Sequence, residues 1–280
     1  MNKPKALVVL SGGQDSTTCL AWAVNQGYDV AAVTFNYGQR HAIELDAAKS
    51  VAALMGVVDH EVINMEAILK GTSPLTNPDE KLETYSDYAS MDKIIGDRVE
   101  KTFVPMRNSL FLTIAANRAV VGGSPYLVTG VCEADNANYP DCRQSFISAQ
   151  EWTINEALGH NDTMSGPAIR ILTPLIRMSK ADSIRMMMAM NCLPLLAFTH
   201  TAYDGTYPPV SKDHASVLRA QGFLEANVPD PLVVRAHLEG LMDLPATPNY
   251  ADVNMIAALG IKIQENKAHL LGNPDPKVAA

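Results

Sequence analysis

Leu10-Ser11-Gly12-Gly13-Gln14-Asp15-Ser16 follows the apolar run Ala6-Leu7-Val8-Val9-Leu10 and precedes Thr17 to Gln26, which carries Leu20, Ala21 and Val24 at helical spacing. The apolar run reads as a buried parallel strand and the second segment as a helix. A strand, a glycine pair and a helix N-terminus together form an anion site. The glycines let backbone N–H groups turn inward and approach an oxyanion closely, and the helix end adds unpaired donors and partial positive charge. Ser11 and Ser16 add hydroxyls. No Lys follows Gly13, so the stretch is not a Walker loop, and it lacks the spacing of Gly-x-Gly-x-x-Gly.

Strand–helix alternation continues down the chain. Asp29 to Phe35 reads as a second strand and Ile43 to Met55 as a helix, with Ile43, Ala47, Val51, Leu54 and Met55 along one face. His60 to Met65 reads as a third strand. A helix from Asn108 to about Val121, with Asn108 as its N-cap, leads into a strand over Tyr126 to Val131. This pattern predicts an α/β fold with a doubly wound parallel sheet, whose ligands sit beyond the carboxyl ends of the strands. The expected division is a main domain over 1–200 and a small C-terminal helical region over 201–280. Residues 70–101 are polar and long for a loop, which suggests a lid or mobile excursion.

Composition narrows the function classes. Of 280 residues, 47% are hydrophobic and 19% charged, ordinary values for a globular enzyme. The start reads straight into a strand, with no leader and no long apolar run, so no membrane span is expected. Cys19, Cys132, Cys142 and Cys192 form no Cys-x-x-Cys pair, which suits a reducing cytoplasm. The net charge of −8 and the absence of a Lys/Arg-rich run argue for a small-molecule substrate and against direct nucleic-acid binding. Composition leaves a homodimer open.

Four further segments make the reading specific. They are Thr34-Phe35-Asn36-Tyr37-Gly38-Gln39-Arg40-His41, Phe103-Val104-Pro105-Met106-Arg107-Asn108, Gly130-Val131-Cys132-Glu133-Ala134-Asp135 with Tyr139-Pro140-Asp141-Cys142-Arg143, and Thr173-Pro174-Leu175-Ile176 before Ser179-Lys180. With Ser-Gly-Gly-Gln-Asp-Ser at the front, the chain resembles the 7-cyano-7-deazaguanine (preQ0) synthase family of PP-loop ATP-pyrophosphatases over residues 5–231. The resemblance implies an adenine nucleotide alpha hydrolase-like fold. It also implies a carbon–nitrogen ligase that uses ATP, Mg²⁺ and ammonia. The carboxylate of 7-carboxy-7-deazaguanine is adenylated, ammonia displaces AMP to give an amide, and a second ATP dehydrates the amide to a nitrile. The chemistry is sound, because a carboxylate has no usable leaving group at neutral pH and AMP is a good one.

Roles follow for individual residues. Leu10, Ser11, Gly12, Gly13, Gln14, Asp15 and Ser16 should hold the pyrophosphate, with Asp15 turned toward Mg²⁺ or a loop N–H. Lys180, just after an N-cap serine, can point at the phosphates, and Arg107 can neutralise them or pin the adenylate. A solvated lysine and a surface ion pair are the plain alternatives for these two. Thr34 and Gly130 complete the expected nucleotide site. Glu133 and Asp135 can accept N–H groups of a guanine-type edge, and Arg143 offers a planar fork to the substrate carboxylate. Tyr37, Phe103 and Tyr139 can stack on the base or simply pack. Gln39 and Asp141 are further substrate candidates. His41 could deprotonate ammonia or serve structurally. Cys142 reads as pocket wall.

The departures from the resemblance also carry information. The family's four zinc-binding cysteines correspond here to Ala202, Val210, Asp213 and Ser216, so no zinc is expected in the 202–216 loop. Asn36 stands for an Asp, Met106 for a small residue, and Asn136-Ala137-Asn138 for a segment often ending Ser-Gly. Changes beside the site could stop the reaction at 7-amido-7-deazaguanine, so both amide and nitrile are carried as end products. The other classes considered are a tRNA-modifying PP-loop enzyme and a non-catalytic nucleotide-binding relative.

Overall fold

Successive side chains of a strand face opposite sides of a sheet, and the first strand shows the consequence at once. In β1 (Lys5–Val9), Ala6 and Val8 enter one apolar cluster and Leu7 another. The computed structural model describes residues 3–39, 43–66, 68–69, 71, 73–77, 79–133, 138–160 and 168–272. The expectations for Arg40, His41, Asp135, Asn136 and Ala137 lie outside the described residues.

β1 is joined by β2 (Asp29–Asn36), β3 (His60–Asn64), β4 (Tyr126–Val128) and β5 (Arg170–Leu172) in an all-parallel sheet of order β3-β2-β1-β4-β5. Leu7 lies level with Ala31 on one side and Leu127 on the other. Helices α1 (Gln14–Asn25) and α2 (Ile43–Leu54) bury Leu20, Ala48 and Val51 with Ala6 and Val8 on one face. Helices α4 (Arg107–Gly122) and α5 (Gln144–Ala157) bury Leu112, Ala116 and Ile147 with Leu7 and Leu127 on the other. Chain order reverses between β1 and β4, and that switch point opens a crevice beyond their carboxyl ends.

Several boundaries differ from the sequence reading. α1 begins at Gln14 and not at Thr17, because extended Gly13 (φ −81°, ψ 172°) caps it. Strand β4 ends at Val128 and not at Val131, where the chain bends past the glycine loop. α4 begins at Arg107, so Asn108 is not its N-cap. The residue before the helix, Met106, is left-handed (φ 65°), a conformation that favours glycine over methionine. The long polar segment contains a helix, α3 (Tyr88–Ile95), started by a capping box between Asp87 and Ser90. Tyr85, Met91 and Ile95 pack on Val217 and Leu218 of α7 (His214–Ala226), and the Tyr85 N–H donates to the Lys212 carbonyl at 2.8 Å.

After β5 come α6 (Lys180–Ala189), α7, α8 (Pro231–Leu238) and α9 (Val253–Gly272). Leu259 and Ile263 of α9 and Val234 of α8 join the cluster that holds Val51 of α2. The Arg219 guanidinium makes a buried two-point contact with Asp230 (2.6 and 2.8 Å), and Asp230 also caps α8 through the Leu232 N–H. Among the described residues, no helix is long and apolar enough to cross a membrane.

Candidate active site

The glycine loop is shaped by contacts that only glycine permits. Gly12 has φ +84°, and a side chain there would lie 2.3 Å from the Glu44 carbonyl oxygen. The first turn of α2 therefore sits directly on the loop. Gly130, at the end of β4, comes so close that its Cβ would be 2.9 Å from the Asp15 carbonyl carbon. The Gly12 carbonyl accepts the His200 N–H at 2.9 Å. Within the loop, the Ser11 and Ser16 hydroxyls meet at 3.0 Å, and the Gly13 N–H donates to the Ser11 hydroxyl at 3.3 Å. These donors cluster at the N-terminus of α1, an arrangement suited to phosphate oxygens.

Lys180 comes to the same place from α6. Ser179 and Asp182 form a capping box that starts this helix as expected. The ammonium donates to both Asp15 carboxylate oxygens, at 2.7 and 2.9 Å, and the lysine side chain is mostly buried. Gln14 ties α1 to α6 through Ser183 at 3.3 Å.

A cavity of about 340 Å³ runs from this loop to an aromatic end. Its walls include Leu10, Ser11, Gly13, Gln14, Asp15, Ser16, Gly130 and Lys180 on the phosphate side. Tyr37, Gln39, Arg107, Glu133, Tyr139, Cys142 and Arg143 line it further out. The structure thus brings together most of the residues singled out in the sequence. Burial opposes the charge on Arg107, but Tyr37, Tyr139, Tyr203 and Asp141 around it hold it firmly protonated. Burial likewise pushes the Tyr37, Tyr139 and Tyr203 phenols up, so they stay neutral. Glu133 and Arg143 are exposed at the rim, and Glu133 accepts the Gln144 N–H at 3.3 Å.

Four expected residues do not line the cavity, and each has a structural role. Gly12 turns its back on it, against α2. Thr34 is buried; its hydroxyl donates to the Leu10 carbonyl at 2.6 Å and pairs with His60 at 2.7 Å, fixing the strand end that carries the loop. Phe103 packs behind Tyr139, with ring centroids 5.5 Å apart. Asp141 is buried, and its carboxylate accepts the Asn108 N–H at 3.4 Å, so it serves the start of α4. Gln39 lines the cavity, but its side chain folds back to accept the Tyr37 N–H at 2.9 Å. The departures Asn36 and Met106 also point elsewhere. Asn36 donates to Asn64 and Glu66 at 2.8 and 2.9 Å, and Met106 is 67% exposed.

Sequence reasoning missed Glu44, Tyr203 and His214, which line the cavity. Glu44 stands five residues past Gln39 and Tyr203 in Ala-Tyr-Asp-Gly, but neither spacing announces a role. In the 202–216 loop, the donor set does not fit a zinc ion, and no metal-sized group of His, Cys, Asp or Glu occurs among the described residues. The Asp213 carboxylate clips this loop instead. It is buried and accepts from the Tyr203 N–H (2.7 Å), the Ser211 hydroxyl (3.0 Å) and the Ser216 N–H (2.8 Å).

Comparison with known proteins agrees with this geometry. The family model described as queuosine biosynthesis protein QueC matches residues 5–227. The chain is 48% identical over 231 residues to a 7-cyano-7-deazaguanine synthase of Gloeobacter violaceus, covering 81% of this chain and 95% of that one. It is 44% identical to one of Laribacter hongkongensis (82% and 94% covered) and 42% identical to one of Chromobacterium violaceum (84% and 95%).

Proposed function

The chain belongs to the QueC family of queuosine biosynthesis proteins, and from that premise we propose how its cavity performs the ATP-dependent synthesis of 7-cyano-7-deazaguanine. The observation that carries the reading is one cavity with two chemically distinct ends: a glycine loop with Lys180 at one, and Arg107 among the tyrosines Tyr37, Tyr139 and Tyr203 at the other. The first suits a triphosphate, the second a flat heterocycle bearing a carboxylate.

In this reading the N–H groups at the start of α1 and the Ser11 and Ser16 hydroxyls receive the β and γ phosphates of ATP. Lys180 leaves Asp15 to meet them. Asp15, an oxygen donor beside the loop, fits a magnesium ion held chiefly by the nucleotide's own phosphates. That ion would neutralise charge on the departing pyrophosphate. Arg107 steadies the substrate carboxylate while its oxygen attacks the α phosphorus, expelling pyrophosphate and leaving an acyl adenylate. Ammonia then displaces AMP. Tyr37 and Tyr139 sandwich or flank the deazapurine, and Glu133 at the rim accepts N–H groups of its guanine-type edge. The tyrosine wall limits the access of water to the adenylate.

The end product in this reading is the nitrile. Asn36 and Met106, two of the departures that suggested an early stop, do not line the cavity, whereas Asn138 of the third departure does. The cytoplasm supplies ATP and ammonium for such a reaction. The test is a time course with excess ATP, Mg²⁺, ammonium and 7-carboxy-7-deazaguanine, followed by mass analysis. The expected result is AMP and pyrophosphate, with nitrile following amide and a second AMP released for each nitrile. ADP and inorganic phosphate would refute the pyrophosphatase assignment, and amide accumulating with no nitrile would refute the end product.

A further inference from the structure

Glu44 occupies a place that the roles above do not use. It belongs to the first turn of α2, and its backbone carbonyl touches the Gly12 position of the phosphate loop. Glu44 lines the same cavity as Arg107, Tyr37 and Tyr203, and its carboxylate is electrostatically coupled to Arg107. The residue therefore stands where the two ends of the cavity meet, between phosphate loop and aromatic wall. An acyl adenylate bound as proposed has its reactive carbonyl at that junction, because its α phosphate lies beside the loop that held the departing pyrophosphate and its heterocycle reaches the tyrosines.

We propose that Glu44 is the catalytic proton acceptor of the amidation step, taking the surplus proton from the attacking ammonia nitrogen. The inference rests on the functional reading above. The step balances without a further reagent. The nitrogen lone pair forms the C–N bond, the C–O bond to AMP breaks with its electron pair leaving on AMP, and one N–H proton passes to the Glu44 carboxylate. The proton then returns to solvent through the cavity mouth.

The surroundings suit this task. Charged and titratable groups facing Glu44 are Arg107 at the start of α4, Tyr37 after β2, and Tyr203 and Asp213 on the loop before α7. Burial pushes the Glu44 carboxyl up, Arg107 opposes this, Asp213 adds to it, and the balance lies at about 7. A base poised near neutrality can both take and release a proton. A carboxylate with an ordinary value would be too weak a base for an ammonium nitrogen.

Two half-reactions separate this proposal from the reading on which it rests. Adenylation is followed by pyrophosphate–ATP exchange that depends on 7-carboxy-7-deazaguanine, and amidation by AMP release on adding ammonium. Glu44→Gln should keep the exchange within about threefold of the parent and slow amidation by about 100-fold, the usual scale of general-base catalysis. In the unsubstituted protein, amidation should rise with pH through a limb centred near 7, which the variant lacks. Equal loss of exchange and amidation in the variant would overturn the proposal, since Glu44 would then serve binding or folding. Unchanged amidation would also overturn it. So would a parent pH profile that follows free ammonia alone, a test that needs no variant. Absence of any exchange in the unsubstituted protein would instead refute the functional reading.

Discussion

The stem of Lys180 lies against Gly222 of α7 so closely that a methyl group at residue 222 would sit 2.6 Å from Lys180 Cγ and 2.8 Å from its Cβ. Glycine here lets α7 close on α6, and the closed pair aims the ammonium at Asp15 and the phosphate loop. In an unobstructed helix, Gly→Ala stabilises by roughly 0.5–1 kcal/mol. Gly222→Ala should do the opposite, lowering the melting temperature and weakening ATP binding by about tenfold, the scale of one strained charge-assisted contact. Affinity for 7-carboxy-7-deazaguanine should hardly change. Calorimetric titration with each ligand separately checks this, and unchanged ATP affinity would show that Lys180 is not confined by the helix pair.

The glycine loop gives a second contrast. Gly12→Ala combines a left-handed backbone with a clash against the Glu44 carbonyl, so a loss of at least about 2 kcal/mol in urea denaturation is expected. Ser11 is exposed, and among the described residues its hydroxyl meets only Ser16 and the Gly13 N–H. Ser11→Ala should leave stability within about 0.5 kcal/mol yet cut pyrophosphate release by about tenfold, the scale of one lost phosphate donor. A Ser11 variant with full turnover would place the phosphates elsewhere.

The loop before α7 is held by Asp213, whose carboxylate accepts from Tyr203, Ser211 and Ser216. Asp213→Ala leaves those donors without their acceptor and removes a helix cap, at a cost of about 2–4 kcal/mol. Asp213→Asn, which keeps one acceptor oxygen, should fall between. A chelator should leave the melting temperature of the parent protein unchanged. A drop on chelation, reversed by added zinc, would show that a metal and not this carboxylate clips the loop.

Glu239 joins α8 to α9 and to the loop at Tyr207. It accepts from Lys267 (2.7 Å), Tyr207 (2.5 Å) and Arg235 (3.2 Å). Burial alone would raise its carboxyl, but these partners outweigh burial and hold it at about 2. A carboxyl depressed in the folded state stabilises above its unfolded value of about 4.5, and that stability is lost as pH falls through about 2. The depression corresponds to at most about 3 kcal/mol near neutral pH. Glu239→Gln should therefore destabilise at pH 7, and the difference from the parent should close between about pH 4.5 and 2. Denaturation midpoints across that range provide the check; a difference independent of pH would mean that the carboxylate's charge contributes nothing.

Much of the site was readable because its chemistry is local. The loop from Ser11 to Ser16 needs consecutive glycines and hydroxyls between a strand and a helix, and the Ser179 cap with Lys180 needs only neighbours in the chain. The short strand β5 and helix α3 were not readable on the same grounds. A strand of three residues carries too little periodicity, and α3 has its apolar face completed by α7, far away in the chain. Asn108, Thr34 and Asp141 looked like cap and ligands in sequence, yet their polar atoms are taken up by groups brought near only by folding.

The sequence by itself determined the parallel sheet and the phosphate loop, since short continuous apolar runs alternating with helical segments, and a glycine turn, act within a few residues. Only the tertiary structure decided which side chains share the cavity. Glu44, Arg107, Tyr203 and Lys180 come from four separate parts of the chain, and their meeting depends on how closely helices approach at Gly12, Gly130 and Gly222. Such approaches are set by the absence of a single methyl group facing a distant backbone or side chain, and no local pattern of residues encodes that neighbour.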